Sequence, residues 1–198
     1  MSTEPASVPE TTTASRRDVL LIAGPAFAAV GGLLALWPLI QQMNPHPGTP
    51  RPDIVTVDLD GIAAGTERIV PWRGKPVIVR HRTPDEVDRA RAAPLEKLRD
   101  SYARNARLPA DALATDANRV DPSRPQWLVV IGLCTHLGCL LKSAKAIGVP
   151  DLPAGWFCPC HAAKFDTAGR VIPGPAATNL PVPAWRFTGA GQLEIGVA

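Results

Sequence analysis

All four cysteines of this 198-residue chain, and two of its four histidines, fall between Cys134 and His161. They form two boxes, Cys134-Thr135-His136-Leu137-Gly138-Cys139 and Cys158-Pro159-Cys160-His161. Three chemistries could draw the boxes together, and each would bring the rest of the fold with it. Four cysteines allow three all-disulfide pairings, but these leave both histidines without a role. A structural zinc site usually begins with two cysteines two to four residues apart, whereas the first box begins with Cys134 and His136. A [2Fe–2S] cluster would use Cys134 and Cys158 as thiolate ligands on one iron, and His136 and His161 as imidazole ligands on the other. Exchanging two thiolates for neutral imidazoles removes negative charge from such a cluster and raises its reduction potential.

The N-terminal part has a different character. Val19 to Ile40 carries no charged residue. As a helix rising about 1.5 Å per residue it would cross a hydrocarbon core of roughly 30 Å. Gly24, Pro25, Gly31 and Gly32 would weaken the same stretch as a core helix in water. Arg16 and Arg17 precede it and no basic residue follows before Arg51, so the N-terminus is expected in the cytoplasm and the rest of the chain across the membrane. Ser15-Arg16-Arg17-Asp18-Val19-Leu20-Leu21 also resembles a twin-arginine export signal. No small-residue cleavage site follows, which predicts a retained anchor. The expected organisation is a cytoplasmic tail over 1–18, a transmembrane anchor over 19–40 and a Pro-rich hinge over 41–52. Met1 to Ala14 reads as a disordered tail, and Pro45, Pro47, Pro50 and Pro52 predict an extended, semi-rigid tether. His46 reads as an exposed linker residue.

From Asp53 onward the chain reads as one globular domain, 53–198. Lys and Arg total 21 against 18 Asp and Glu, a net charge of +3, which excludes a generic nucleic-acid binder. A hydrophobic fraction of 45% excludes a disordered chain. Twenty-two prolines and 16 glycines without a period favour short strands joined by turns. Asp53 to Asp60 and Lys75 to Arg80 read as strands, with Trp72 as a core aromatic, and Gln126 to Gly132 as a buried strand leading to the first box. Leu95, Leu98 and Tyr102 predict a surface helix with Pro94 near its start. The surrounding charges, Asp85, Glu86, Arg89, Arg91, Glu96, Lys97, Arg99 and Arg104, read as a solvated face. Pro109 to Pro125 reads as a loop.

The paired C-T-H-L-G-C and C-P-C-H boxes resemble those of the Rieske iron–sulfur family. The anchor, the tether, Arg82-Thr83-Pro84-Asp85-Glu86 and the segment from Gly174 to Pro183 (G-P-A-x-x-N-L-P-V-P) resemble, within it, the Rieske subunits of proteobacterial cytochrome bc1 complexes. The resemblance implies an all-β, antiparallel Rieske-type sandwich with a surface helix and an inserted cluster-binding subdomain over about 127–181. Ala184 to Val197 would then supply the last strands of the base fold. It implies Cys134, His136, Cys158 and His161 as cluster ligands, a Cys139–Cys160 disulfide, and Gly174-Pro175-Ala176 as a third loop covering the cluster. Leu137 would belong to an apolar tip that docks on cytochrome b.

The implied function is that of the electron-transfer subunit of a proton-translocating quinol–cytochrome c reductase, not a complete enzyme alone. An exposed ligand histidine, His136 or His161, would take the quinol proton, since a metal-bound imidazole gives up its second ring proton more readily than a free one. The electron would pass to cytochrome c1, within a dimeric complex in the bacterial inner membrane, with the Rieske domain on the periplasmic side. One departure stands out: high-potential members continue G-S-x-Y-D after the second box, and this chain reads Ala162-Ala163-Lys164-Phe165-Asp166. The family's serine and tyrosine hydroxyls donate to cluster and cysteine sulfurs, so Ala163 and Phe165 predict a lower potential and a poorer acceptor for ubiquinol. If a glycine is needed at 162 for a positive φ, Ala162 adds strain. The competing readings are a Rieske subunit of another exported oxidoreductase, such as arsenite oxidase, and a non-redox zinc-binding membrane module.

Overall fold

A computed structural model describes residues 15–44, 52–172 and 174–197. The tail over 1–14, His46 and three of the four tether prolines (Pro45, Pro47 and Pro50) lie outside the described residues. The chain divides into two compact units, 1–49 and 50–198.

In the first unit, α1 (Arg16–Gln41) is a 26-residue helix with no buried residue and a mean hydropathy of 2.3 in its most apolar window. It is long and apolar enough to cross a membrane. Its start is fixed locally by a capping box. The Ser15 hydroxyl accepts from the Asp18 N–H at 3.2 Å, and the Asp18 carboxylate accepts from the Ser15 N–H at 3.0 Å. Asp18 also offsets the unfavourable placement of Arg16 and Arg17 at the positive end of the helix dipole.

The second unit contains three antiparallel sheets of three strands. In chain order the strands are β1 (Val55–Asp58), β2 (Glu67–Trp72), β3 (Lys75–His81), β4 (Trp127–Ile131), β5 (Lys142–Ser143), β6 (Trp156–Phe157), β7 (Lys164–Phe165), β8 (Trp185–Phe187) and β9 (Gln192–Ile195). One sheet runs β1-β9-β8, the second β2-β3-β4 and the third β5-β6-β7. The C-terminal strands therefore return to pair with the first strand, Val55 opposite Ile195 and Asp58 opposite Gln192. β3 and β4 are nearly continuous apolar runs because both faces are covered. Val77, Ile78 and Val79 on β3 and Leu128, Val129 and Val130 on β4 are all buried. Trp156, Phe165, Leu180 and Trp185 complete the same core. Trp72 is only half-buried, packed against this core with its indole N–H donating to the Asp53 carbonyl at 2.8 Å.

The segment between β3 and β4 departs from expectation. The helix there is α2 (Pro84–Ala92), which starts ten residues before Pro94. Thr83 and Glu86 form its capping box and Pro84 occupies the first turn. It ends because Ala93, the residue before Pro94, is driven to an extended conformation at φ −67 and ψ 125. Leu95–Lys97 forms a single 3-10 turn, and Tyr102 pairs with Leu113 in an isolated bridge. The spacing of Leu95, Leu98 and Tyr102 is therefore not helical. The Asp100 carboxylate instead captures the Tyr102 N–H at 3.2 Å, an alternative to helix hydrogen bonding.

The solvated-face reading fails at Glu86, which is buried. Its carboxylate accepts from Arg80 at 2.6 and 3.2 Å. Arg82 is equally buried and makes a two-pronged contact with Asp116 at 2.6 and 3.2 Å. These ion pairs lie between elements, so they fix the insert onto the sheets rather than facing water.

Candidate metal centre

The first box leaves β4 through a tight turn. The Cys134 N–H donates to the Cys139 carbonyl at 2.8 Å and the Gly138 N–H to the Cys134 carbonyl at 2.9 Å, with Gly138 at φ 76. A side chain at that left-handed position would be strained, which accounts for the glycine. The second box is the connection between β6 and β7, closed by the Cys158 N–H donating to the Ala163 carbonyl at 2.8 Å. A third segment runs past both. The Thr135 hydroxyl donates to the Thr178 carbonyl at 2.6 Å. A side chain on Gly174 would meet the Cα of Ala163 at 3.3 Å.

This arrangement brings the four cysteines and two histidines of the boxes together. Cys134 and Cys158 are buried, and their thiols are in hydrogen-bond contact. The His136 and His161 rings meet edge to face with centroids 4.9 Å apart. The thiols of Cys139, Cys158 and Cys160 lie within 4.8 Å of one another, and all four cysteines are present as thiols. His161 is exposed. Leu137 beside His136 is 69% exposed, with no core contact to explain an apolar residue there.

Two observations test whether a metal group fits. The Nδ1 of His136 is buried and has no hydrogen-bond partner among the described residues. A buried ring nitrogen without a partner is costly, and coordination would satisfy it. Second, backbone N–H groups converge on the two buried sulfurs. Burial pushes the Cys134 thiol up, opposed by the N–H groups of His136 and Leu137. At Cys158 burial acts the same way but is outweighed, chiefly by the Cys160 N–H with the Cys134 thiol and the His161 N–H, so that thiol sits below its ordinary value. Such donors favour thiolates, the form a metal binds. The Cys160 thiol is pushed up to about 11, first by its hydrogen bond with Cys139. The donor set therefore fits a group held by two thiolates and two imidazoles.

Comparison with known proteins separates the metals. Residues 99–192 match the family described as "Rieske [2Fe-2S] domain", and residues 7–46 match "Ubiquitinol-cytochrome C reductase Fe-S subunit TAT signal". The ubiquinol-cytochrome c reductase iron-sulfur subunit of Bradyrhizobium diazoefficiens is 44% identical over 183 residues, covering 92% of this chain and 94% of the relative. The chain belongs to this family of iron–sulfur subunits. Its cofactor is one Rieske-type [2Fe–2S] cluster, and the zinc and arsenite oxidase readings fall away. Subunits of the same name from Rhodospirillum rubrum (44% identity, 92% of both chains) and Rhodobacter capsulatus (41%, 94% of this chain and 98% of the relative) match to similar extents. A chain of a hyperthermophilic respiratory Complex III, 24% identical, aligns over 88% of this chain and 98% of its own length with a TM-score of 0.41.

Against this Rieske family the departure after the second box acquires a geometry. Ala162 adopts φ 58, so the chain carries a Cβ at a left-handed position that favours glycine. Ala163 and Phe165 are both 0% exposed, packed where hydroxyl groups would be sequestered from water. Several contacts that hold the site were not visible in the sequence. Asp166, which follows Phe165, accepts from the Ala168 and Arg170 N–H groups and from the Arg170 guanidinium at 2.7 to 2.9 Å. The buried Arg170 reaches on to the carbonyls of Ala90 and Ala114 in the insert. Arg119, fully buried, donates among the described residues only to carbonyls: those of Ala103, Ala168, Gly169 and Leu180. Burial without a direct acidic partner pushes its pKa down to about 10.

Proposed function

We propose that this chain is the electron-transfer subunit of a membrane-bound quinol–cytochrome c oxidoreductase, with Cys134 and Cys158 holding one iron of its cluster and His136 and His161 the other. The observation that carries this reading is the partnerless, buried Nδ1 of His136 beside the edge-on His161 ring and two buried thiols. When bound, the cluster supplies a one-electron acceptor of raised potential. The protein's own groups do the rest. With Nδ1 of His136 turned inward, Nε2 is the ring nitrogen left to exchange a proton. His161 is the more exposed of the two rings and the better placed to accept from a quinol hydroxyl. Leu137 and its exposed neighbour Leu140 form an apolar tip that can exclude water while docked on cytochrome b. Cys139 and Cys160 join the two ligand loops as a disulfide, which an oxidising compartment permits.

The same reading assigns α1 as a single-pass inner-membrane anchor with a cytoplasmic N-terminus. Residues 41–52 act as the tether and 53–198 as a periplasmic head, with 127–181 supplying the cluster-binding part. The partners are cytochrome b and cytochrome c1 in a dimeric, proton-translocating complex, with the head passing its electron to cytochrome c1. The N–H groups of His136, Leu137, Cys160 and His161 remain as donors to the sulfurs. The hydroxyl donors are missing at Ala163 and Phe165, so the midpoint potential lies in the lower part of the roughly −150 to +300 mV Rieske range.

The test is a redox titration followed by EPR on the full chain in detergent, with iron and acid-labile sulfide assayed on the same sample. A rhombic reduced signal with average g below 2, lost in His136→Ala and His161→Ala, is expected. Stoichiometric zinc with no signal would overturn the reading.

A further inference from the structure

The third segment, from Gly174 to Pro183, contains a fully buried asparagine, Asn179, whose amide is saturated. Its Nδ2 donates to the carbonyls of Asp100 at 2.9 Å and Tyr102 at 2.8 Å. Its backbone N–H donates to Asp100 Oδ2 at 2.9 Å. Its Oδ1 accepts from the Val171 N–H at 2.8 Å, and Val171 is bridged to Phe165 in β7, the strand after the second box. The neighbouring carbonyl, that of Thr178, is the one that takes the Thr135 hydroxyl of the first box. One residue thus joins three parts of the chain: the β3–β4 insert, the strand after the second box and, through Thr178, the first box.

A second tie lies at the rim. The exposed Arg99, next to Asp100, donates to the Gly174 carbonyl, where a Cβ would lie 3.3 Å from the Cα of Ala163. Asp100 is itself braced, with Arg104 reaching its carboxylate at 2.9 and 3.2 Å. The insert therefore grips the third segment at both ends of the stretch that lies over the two boxes, at Gly174 through a surface guanidinium and at Asn179 through a buried amide.

We infer that Asp100 and Asn179, with Arg99 at the rim, form a latch through which the β3–β4 insert holds the third segment over the two ligand loops. They are positioning residues for the cluster. Releasing the latch lets the segment lift from Ala163, which admits water and changes the surroundings of the sulfurs. Asn179→Asp is the sharpest release, because it removes both Nδ2 donors and sets a carboxylate against Asp100. Asp100→Ala removes the acceptor for the Asn179 N–H, whereas Asp100→Asn keeps an oxygen there and should be milder. Arg99→Gln, on the surface, loosens only the rim.

The inference rests on the cluster reading, so the wild-type chain is assayed first for iron, acid-labile sulfide and the EPR signal. Their absence would sink that reading, whatever the variants do. Given the signal, the full chain in detergent carries each variant through three measurements: the EPR g values, the midpoint potential and the rate of iron loss to a chelator. The expected result is shifted g values and potential in Asn179→Asp, with iron loss faster by on the order of tenfold, the scale of one buried acceptor left unpaired. Asp100→Ala should exceed Asp100→Asn, and Arg99→Gln should move the same readouts less. Variants that melt at lower temperature but keep wild-type g values, potential and iron-loss rate would overturn the latch and leave a merely structural bond. Should the Asn179 and Asp100 variants fail to accumulate, Arg99→Gln decides alone, and unchanged readouts there overturn the inference too.

Discussion

Ala163 and Phe165 are where single atoms matter most to the chemistry. Both side chains are fully buried, so a hydroxyl restored at either position would sit in a dry site and favour the reduced, more negative cluster. Ala163→Ser and Phe165→Tyr should each raise the midpoint potential by about 60 mV, the one-electron equivalent of a hydrogen bond of about 1.4 kcal/mol to a charged group. An EPR titration of the two variants checks this, and potentials unchanged from the parent would remove the missing donors as the cause. Ala162 makes a separate prediction. Its φ of 58 places a Cβ against the following carbonyl, at a cost of about 1 kcal/mol. Ala162→Gly should raise the melting temperature of the head without shifting the potential, measured by thermal denaturation beside the same titration.

At the scale of elements, the insert between β3 and β4 is held by buried charge rather than by an apolar stripe. Arg119 joins Ala103 of the insert to Ala168 and Gly169 after β7 and to Leu180 of the third segment. Arg119→Met would leave these carbonyls without donors and should cost about 3 kcal/mol or more, read as a lowered denaturation midpoint. A milder probe of the same junction is Gly169→Ala, since a Cβ there would lie 2.8 Å from the Arg119 guanidinium at a φ of 71. Asp100 links the insert to pH. Burial pushes its carboxyl up, but hydrogen bonds from Arg104 and from the Asn179 and Tyr102 N–H groups outweigh that and hold it below the ordinary value. A carboxyl lowered on folding contributes stability that is complete above its unfolded pKa near about 4 and is lost as pH falls through the lower folded value. Acid unfolding followed by fluorescence should therefore be less steep below that point in Asp100→Asn than in the parent.

Across the whole molecule, the proposed reading joins the anchor to the head by a short tether and has the head exported with its cofactor in place. An export route that carries folded cargo suits that need. Replacing Arg16 and Arg17 by lysine keeps the charge and the helix but removes the paired guanidinium groups. Cell fractionation should then find the chain retained on the cytoplasmic side. Normal delivery to the periplasmic face would show that export does not depend on the arginine pair.

The sequence alone determined whatever depends on neighbours a few residues apart. The C-x-H and C-x-x-H spacings designate the candidate ligands because a turn sets their geometry locally. The Ser15–Asp18 capping box and the charge-free run after it specify α1, alternation of apolar residues located β1, and short apolar runs located β3 and β4. The third segment was legible as a motif, and Asp166 lay in plain view after Phe165, yet neither pattern says what its polar side chains touch. Tertiary structure decided the fate of the charges. Arg82 and Asp116 are 34 positions apart, Asn179 and Asp100 79 apart, and a buried pair leaves no periodic trace at such separations. Leu95, Leu98 and Tyr102 sit at a helical spacing, but the Pro94 that follows Ala93 and the Asp100 carboxylate on the Tyr102 N–H outweigh it. Propensity acts through the few residues on either side, whereas burial of a polar group is settled by whichever distant partner the fold brings to it.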